Sequence, residues 1–274
     1  LKEFGGEISY WSRVFDYFLF HVCSKYCYLI ENSIHLWEPQ FKQFAKVIKN
    51  RLVRGGCNHL SGDNIIWKLF AFIDNTNIFT CVPGGGPTTD GPNAPRNDPL
   101  IQQAAYTAYK HYHGVKIQTI TLPNGLIAEI FGPVFSRHCD IYTLNHSNIN
   151  ERLQQLGEYG IYGDSIYPYL SNITRKHETN GENVLTYEQK MENSVLNGAR
   201  ESIEWINADV KTKFAFIDYK KCLKLRKSKV CMMIKVCVIL TNMYKCLNGC
   251  NTSSYFGLNA PELENYMSPL VEEN

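Results

Sequence analysis

The chain has 274 residues, which is enough for one large or two small domains with a buried core. Its formal net charge of +2 neither requires nor excludes a polyanionic partner such as nucleic acid. Whether such a partner is expected therefore depends on where the charges lie in the sequence. The ten cysteines are scattered, and no second paired motif completes a four-ligand zinc site. We therefore expect free, reduced cysteines in a nuclear or cytosolic protein.

The N-terminal part of the chain is predicted to be helical. Apolar residues recur there at helical spacing in two sets. The sets are Tyr10, Val14, Phe15, Phe18 and Leu19, followed by Phe41, Phe44, Val47 and Ile48. No group of residues in this part suggests chemistry. Residues 1–65 are predicted to form an N-terminal helical region, either a helical layer or a small helical lobe.

A strand, a loop and a hairpin are predicted next. KLFAFIDN, with Asp74 near its end, is rich in strand-forming residues. Proline, glycine and asparagine are so dense from Pro83 to Pro99 that this stretch predicts a loop. GVKIQTITLP (114–123) and GLIAEIFGP (125–133) then predict two strands that are joined by a Pro-Asn-Gly turn.

The following elements alternate between helix and strand. NINERLQQL predicts a helix with Asn148 as its cap, and GIYGDSIYP (160–168) predicts a strand that Asp164 interrupts. Residues 194–213 form the clearest predicted helix, with one apolar stripe. The stripe consists of Leu196, Ala199, Ile203, Ile206 and Val210. This order of elements predicts a mixed α/β domain.

The apolar run VCMMIKVCVIL (230–240) is predicted to be a buried helix. It is shorter than the about 18 residues that a bilayer span needs, and it contains Lys235. No membrane contact is therefore expected.

Three acids stand where predicted apolar elements meet an open edge: Asp74, Asp164 and Glu204. Carboxylates that are brought together repel one another unless a divalent cation favours their charged forms. Oxygen ligands select Mg²⁺ or Mn²⁺. The same acids also fit plain structural roles, namely turn formers at the two aspartates and an ion pair between Glu204 and Arg200 one turn earlier. Spacing alone leaves both interpretations open.

Longer motifs surround the three acids. FIDNTNI, YGDSIY and NGARESIEW resemble, in this order, the FIDGT, GD..Y and S..R..VEW motifs of Harbinger-type (PIF/Harbinger) DDE transposases and the nucleases derived from them. QQAAYTAYKHYHGVKIQTITLPNGLI and FGPVFSRHCDIYTLNHSNI resemble two further segments of that family. The resemblance covers residues 66–267. It implies an RNase H-like mixed sheet flanked by helices there, and it leaves 268–274 as a C-terminal tail.

The resemblance also implies a set of metal ligands. Asp74, Asp164 and Glu204 match the family's catalytic acids, with two Mg²⁺ or Mn²⁺ ions expected during catalysis. Glu201, one turn before Glu204, is the alternative if the helix aligns differently. Asp140 in SRHCD matches a further acid of the family and is expected to be a supporting or alternative metal ligand.

The activity that the resemblance implies is metal-dependent cleavage of phosphodiester bonds at transposon ends, followed by strand transfer in a transposase. The chain departs from the family pattern at four positions, which are Asn75, Ala108, His111 and Ser136. These departures leave open a domesticated, catalytically weak or inactive protein that binds DNA or a Myb-like partner. A nuclease that acts on RNA is a third alternative.

Basic side chains are candidates for contacts with DNA phosphates, which give affinity without sequence choice. The candidates are Lys110, Lys116, Arg137, His138, Arg200, Lys220, Lys221 and Lys224. The lysine-rich run at 220–229 also fits a solvated helix face or a nuclear-import signal. By resemblance, the expected partners are terminal inverted repeats, target DNA, a Myb/SANT-like accessory protein and further copies of the chain. The expected location is the nucleus, with the cytoplasm as the alternative.

Overall fold

A computed structural model describes residues 7–57, 65–83, 99–179, 184–218, 223–225 and 228–268. The strands are β1 (Leu69–Phe79), β2 (Tyr106–Thr107), β3 (Tyr112–Thr121), β4 (Ile127–Phe135), β5 (Gly160–Tyr162) and β6 (Ile173–Thr174). The helices are α1 (Ile8–Tyr26), α2 (Phe41–Arg54), α3 (Pro99–Ala105), α4 (Asp140–His146), α5 (Ile149–Gln155), α6 (Tyr187–Lys213), α7 (Val230–Asn248), α8 (Asn251–Phe256) and α9 (Leu263–Met267). Short 3₁₀ turns cover Cys27–Leu29, Ile34–Gln40, Ile65–Lys68 and Ala215–Ile217.

The six strands form one mixed sheet. Its order is β2-β3-β1-β5-β6, and β4 also pairs with β3. Strand β1 lies at the centre, antiparallel to β3 and parallel to β5, which is in turn parallel to β6. Helices flank this sheet, and a helical region precedes it. The predicted RNase H-like architecture is therefore confirmed.

Helix α6 packs its apolar stripe onto the sheet, as predicted. Leu196, Ala199 and Ile203 are buried in one cluster with Phe72 of β1 and Tyr162 of β5. The helix begins at Tyr187, seven residues earlier than the predicted start at 194. A capping box explains this earlier start, because Thr186 and Gln189 exchange side-chain and backbone hydrogen bonds.

Strand β1 does not end at Asp74, which corrects the prediction. It continues to Phe79 because β3 pairs with it along this length, from Phe72 opposite Thr121 to Phe79 opposite Gly114. The polar side chains in this part have partners in the fold: the amide of Asn75, for example, donates to the hydroxyl oxygen of Thr143 at 3.0 Å. Strand β5 is shorter than the predicted strand 160–168, and Asp164 follows it.

The hairpin and the shorter helix are confirmed. β3 and β4 pair antiparallel across the predicted Pro-Asn-Gly turn. Asn148 immediately precedes α5, but it caps the helix only by position, since its side chain makes no cap hydrogen bond. Of the predicted loop, only its ends at 83 and 99 lie within the described residues. The nine cysteines in the described parts are all free thiols.

The two N-terminal apolar sets differ in their surroundings. Phe41, Phe44 and Ile48 of α2 are fully buried, as a core-facing stripe should be. On α1 the predicted stripe is largely exposed, and Phe15 and Phe18 keep about two-fifths of their surface in solvent (41% and 42%). Periodicity therefore identified both helices but not which of them faces the core.

Helix α7 is longer than the apolar run that predicted it. Its 19 residues make it, among the described helices, the one that is long and apolar enough to cross a membrane by length and composition. Half of its apolar window is buried within the fold, as in a core helix. Lys235 on α7 forms an ion pair with Glu31.

Candidate active site

Two aspartates follow the last paired residues of two neighbouring parallel strands. Phe72 of β1 pairs with Tyr162 of β5, and Asp74 and Asp164 each lie two residues further along. Side chains two residues apart on an extended chain point to the same face. Phe72 and Tyr162 pack against α6. The strand geometry therefore predicts both carboxylates on the face that α6 covers.

Asp74 is a largely buried carboxylate with few contacts. One of its oxygens accepts the backbone N–H of Asn75 at 2.8 Å, and the other lies 3.9 Å from a guanidinium nitrogen of Arg200. Burial raises the pKa of Asp74 to about 6, and the Asn75 N–H and the Arg200 charge oppose this rise. The charges of Asp140 and Asp164 raise the pKa further. The three aspartates therefore share one electrostatic environment.

Asp164 is held by a tight local turn. Its Oδ1 accepts the backbone N–H of Ser165 at 2.6 Å, and its backbone carbonyl accepts from the N–H of Tyr167 at 3.0 Å. Gly163 before it has no room for a side chain, since a β-carbon there would lie 2.7 Å from the ring of Tyr167. The glycine in the YGDSIY motif therefore has a packing reason of its own.

Glu204 lies on α6 at the rim of an open cleft. The cleft is lined by Asp74, Thr76, Glu204, Asn207, Ala208 and Lys211. The Glu204 side chain is 62% exposed, and its Oε1 lies 3.7 Å from a guanidinium nitrogen of Arg200. The structure thus brings Asp74 and Glu204 into one cleft, and it also contains the ion pair with Arg200 that the sequence left open.

Asp140 begins α4 and is paired with a lysine. Nζ of Lys116 lies 2.6 Å from Oδ1 of Asp140 and donates to the backbone carbonyl of His138 at 2.8 Å. Lys116 itself is buried. This predicted DNA-contact residue therefore has internal partners, and the lysine–aspartate pair was not expected from sequence.

The other predicted DNA-contact residues differ in exposure. Lys110, Arg137 and Lys224 are exposed. His138 stacks on the ring of Tyr142, with centroids 3.8 Å apart, and burial and nearby positive charges lower its pKa. Lys220 and Lys221 lie outside the described residues.

The sequence analysis missed two polar residues of the cleft, Thr76 and Asn207. Asn207 is buried, and its side-chain amide donates to the hydroxyl of Thr119 at 3.5 Å. It lies three residues after Glu204, so helical spacing could have placed it on the same face. Thr76 lies two residues after Asp74 on β1, and the strand alternation would have found it only if the strand had been predicted to continue.

The donor chemistry of the site fits a hard divalent cation, because its acids offer carboxylate oxygens. The acids are, however, engaged by the protein's own cations, Asp74 and Glu204 by Arg200 and Asp140 by Lys116. As they stand, the described residues contain no group of three or more His, Cys, Asp or Glu that could hold a metal ion.

Comparison with known proteins gives one match. Residues 89–242, more than half of the chain, match the family described as DDE superfamily endonuclease. The matched range contains Asp140, Asp164 and Glu204, and Asp74 precedes it. No curated protein and no solved structure matches the chain.

Proposed function

Because the chain belongs to the DDE superfamily endonuclease family, we propose that it cleaves phosphodiester bonds of DNA at transposon ends with the acids Asp74, Asp164 and Glu204. The observation that carries this proposal is the placement of Asp74. Asp74 lies just beyond the end of the parallel pairing between β1 and β5. Its neighbours do not fully offset the effect of burial on its negative charge, and it lines one cleft with Glu204. The motifs around the three acids further support a Harbinger-type enzyme.

Asp74 is the central carboxylate of this proposal. Although its pKa is raised to about 6, it is mostly ionised at neutral pH and can bind a cation. Asp164 and Glu204 would be the further ligands, and Asp140 would support them from α4. Two Mg²⁺ or Mn²⁺ ions, when bound, would activate a water and stabilise the leaving 3′ oxygen.

The fold keeps these acids in place through their neighbours. The side-chain amide of Asn75 donates to Thr143 on α4 and to the hydroxyl of Tyr167, both at 3.0 Å. Tyr167 in turn packs beside Gly163, immediately before Asp164. One amide thus connects β1, α4 and the Asp164 turn, the three segments that carry Asp74, Asp140 and Asp164.

DNA is the substrate that the exposed cations favour. Lys110, Arg137 and Lys224 present positive charge to solvent, where phosphate contacts would give affinity without sequence choice. Recognition of terminal inverted repeats and target DNA, a Myb/SANT-like accessory protein, a homo-oligomer and a nuclear location also belong to this proposal. They rest on the Harbinger resemblance.

A second candidate function is a catalytically inactive protein that binds DNA or a Myb-like partner. The ion pairs of Asp74, Glu204 and Asp140 with side-chain cations favour it, since they offset part of the negative charge without metal. The departures at Ala108 and His111 point the same way. This protein would bind DNA in a salt-sensitive way that is indifferent to Mg²⁺ and to substitution of the acids.

Incubation of the full chain with duplex DNA that carries a transposon end, in the presence of Mn²⁺, tests the proposal. We expect nicked product, and a loss of about a thousandfold or more in rate for Asp74→Asn. Glu151→Gln on α5 is the matched control, because it removes one exposed carboxylate away from the cleft. Glu204→Gln should abolish cleavage and Glu201→Gln should not, which also settles the register of the glutamate.

Equal nicking by the wild type and Asp74→Asn would reject the proposed enzyme. Metal-independent DNA binding without any product would favour the inactive binder. RNA and RNA–DNA hybrid substrates in the same assay separate a DNA nuclease from an RNA nuclease.

A further inference from the structure

Arg200 spans two of the acids that come from different elements. One guanidinium nitrogen lies 3.9 Å from Oδ2 of Asp74 on β1, and the other lies 3.7 Å from Oε1 of Glu204 on α6. Only 19% of the Arg200 side chain is exposed. A single positive charge therefore lies between two carboxylates that are proposed to bind metal.

This contact is looser than the lysine pair on the other side of the site. Lys116 approaches Asp140 to 2.6 Å and is also anchored on the carbonyl of His138. The two Arg200 distances are ion-pair separations beyond direct hydrogen-bond length. Arg200 thus offsets part of the negative charge of Asp74 and Glu204 without a direct hydrogen bond to either of them.

We propose that Arg200 holds the place of a divalent cation in the metal-free protein and has to leave Asp74 and Glu204 when a metal ion binds. This inference rests on the proposed function, since it assumes that the same acids bind metal. A guanidinium keeps its charge at any physiological pH, so it cannot become neutral and stay beside the ion. Arg200 therefore competes with the metal ion for the same carboxylate oxygens.

A simpler role for Arg200 makes the opposite prediction. If the guanidinium only held Glu204 in its ligand position, removing it would disorder the acid and weaken metal binding. If it competes with the metal, removing it takes away both a repelling charge and a rival for the same oxygens. The sign of the change in metal affinity therefore separates the two roles.

Calorimetric titration of the full chain with Mn²⁺, without DNA, measures this sign. We expect Arg200→Gln to bind Mn²⁺ at least about fivefold more tightly than the wild type, since about fivefold is the factor for two unit charges 4 Å apart in water and Mn²⁺ carries two charges. Lys190→Gln is the matched control, since it removes one exposed positive charge from the same helix about 15 Å away along its axis. It should leave the affinity within about twofold, because salt screens charges at that separation.

A second measurement observes Arg200 in the wild-type protein and uses substitutions only for assignment and control. Nitrogen-15-labelled arginine in the wild-type protein gives a side-chain resonance for Arg200, which its loss in Arg200→Lys identifies. Adding Mg²⁺ should shift this resonance, and the shift should be absent in Asp74→Asn.

Unchanged or weaker Mn²⁺ binding by Arg200→Gln would overturn the inference, and so would a resonance that Mg²⁺ does not move. In both cases the metal site itself would survive if Asp74→Asn still abolished Mn²⁺ binding. If Asp74→Asn bound Mn²⁺ like the wild type, the proposed metal site would be wrong, and the inference would fail with it.

Discussion

Two carboxylates of the sheet meet arginine side chains in different ways. Glu129 on β4 has a side chain that is 4% exposed, and both of its oxygens contact the guanidinium of Arg152. One of these oxygens also accepts the backbone N–H of Ile34 at 3.1 Å. Asp74 on β1 is 21% exposed and has its arginine only at 3.9 Å.

The comparison separates a structural acid from a candidate catalytic one. Glu129 is saturated with donors, and its pair ties α5 and the N-terminal 3₁₀ turn to β4. Asp74 keeps capacity for a cation, since burial raises its pKa and the Asn75 N–H and the Arg200 charge do not fully offset that rise. Burial without saturation, rather than the presence of an ion pair, is what distinguishes the acid of the candidate site.

The largest expected effect on stability is at the saturated pair. Arg152→Met should lower the free energy of unfolding by about 3–5 kcal/mol, because it leaves the buried Glu129 charge without its partner. Urea unfolding measures the loss. Arg137→Met, which removes an exposed arginine, is the control and should change stability by less than about 0.5 kcal/mol. A loss below about 1 kcal/mol at Arg152 would mean that the pair is not structural in the sense argued here.

A smaller change in the free energy of unfolding, and of opposite sign, is expected for substitution of Asp74. Its pKa in the folded chain, about 6, lies above the ordinary value of 3.8, so the folded protein binds this proton more tightly than the unfolded chain does. The resulting stabilisation is present below about pH 4 and is lost as the pH rises through about 6. Asp74→Asn avoids this loss and should be more stable than the wild type by about 1–2 kcal/mol at neutral pH.

Thermal unfolding without divalent ions, from about pH 4 to pH 8, checks this prediction. The gain of Asp74→Asn should disappear toward the acidic end of the range. Glu151→Gln, an exposed acid on α5, should show no comparable change with pH. If Asp74→Asn were less stable than the wild type at neutral pH, the charge of Asp74 would be fully paired in the fold, as that of Glu129 is.

Local sequence patterns predicted the features of the fold that depend on a single helix or hairpin. The stripe of α6 placed Glu204 beside Ile203 at the rim of the core, because a helix repeats its faces at 3.6 residues. The hairpin followed from the Pro-Asn-Gly turn between two apolar strands. The three acids were selected because each was predicted at an open edge of such an element and because family-like motifs surround them, although Asp74 lies within β1 rather than at its end.

The parts that depend on distant neighbours were not predicted. The polar continuation of β1 through Asn75 and Asn77 is stabilised by β3, and no local signal reveals that pairing. Lys116 was expected to contact DNA, yet it pairs with Asp140, 24 residues further along the chain. Tertiary contacts decide whether a charged side chain is exposed to solvent, fully paired, or shared between two partners. The spacing of residues along the sequence does not contain this information.

The smallest expected effect is at a surface pair that looks strong by distance alone. Nζ of Lys68 lies 2.6 Å from an oxygen of Glu158, closer than any contact of Arg200, but the Glu158 side chain is 66% exposed. Water already solvates this carboxylate, so Glu158→Gln should change the free energy of unfolding by less than about 0.5 kcal/mol. Urea unfolding in parallel with Arg152→Met gives the comparison directly. Similar losses of unfolding free energy in Glu158→Gln and Arg152→Met would mean that the nitrogen–oxygen distance matters more than the burial of the carboxylate. Glu129 and Asp74 would then differ in the distance to their arginines and not in how completely their buried charge is compensated.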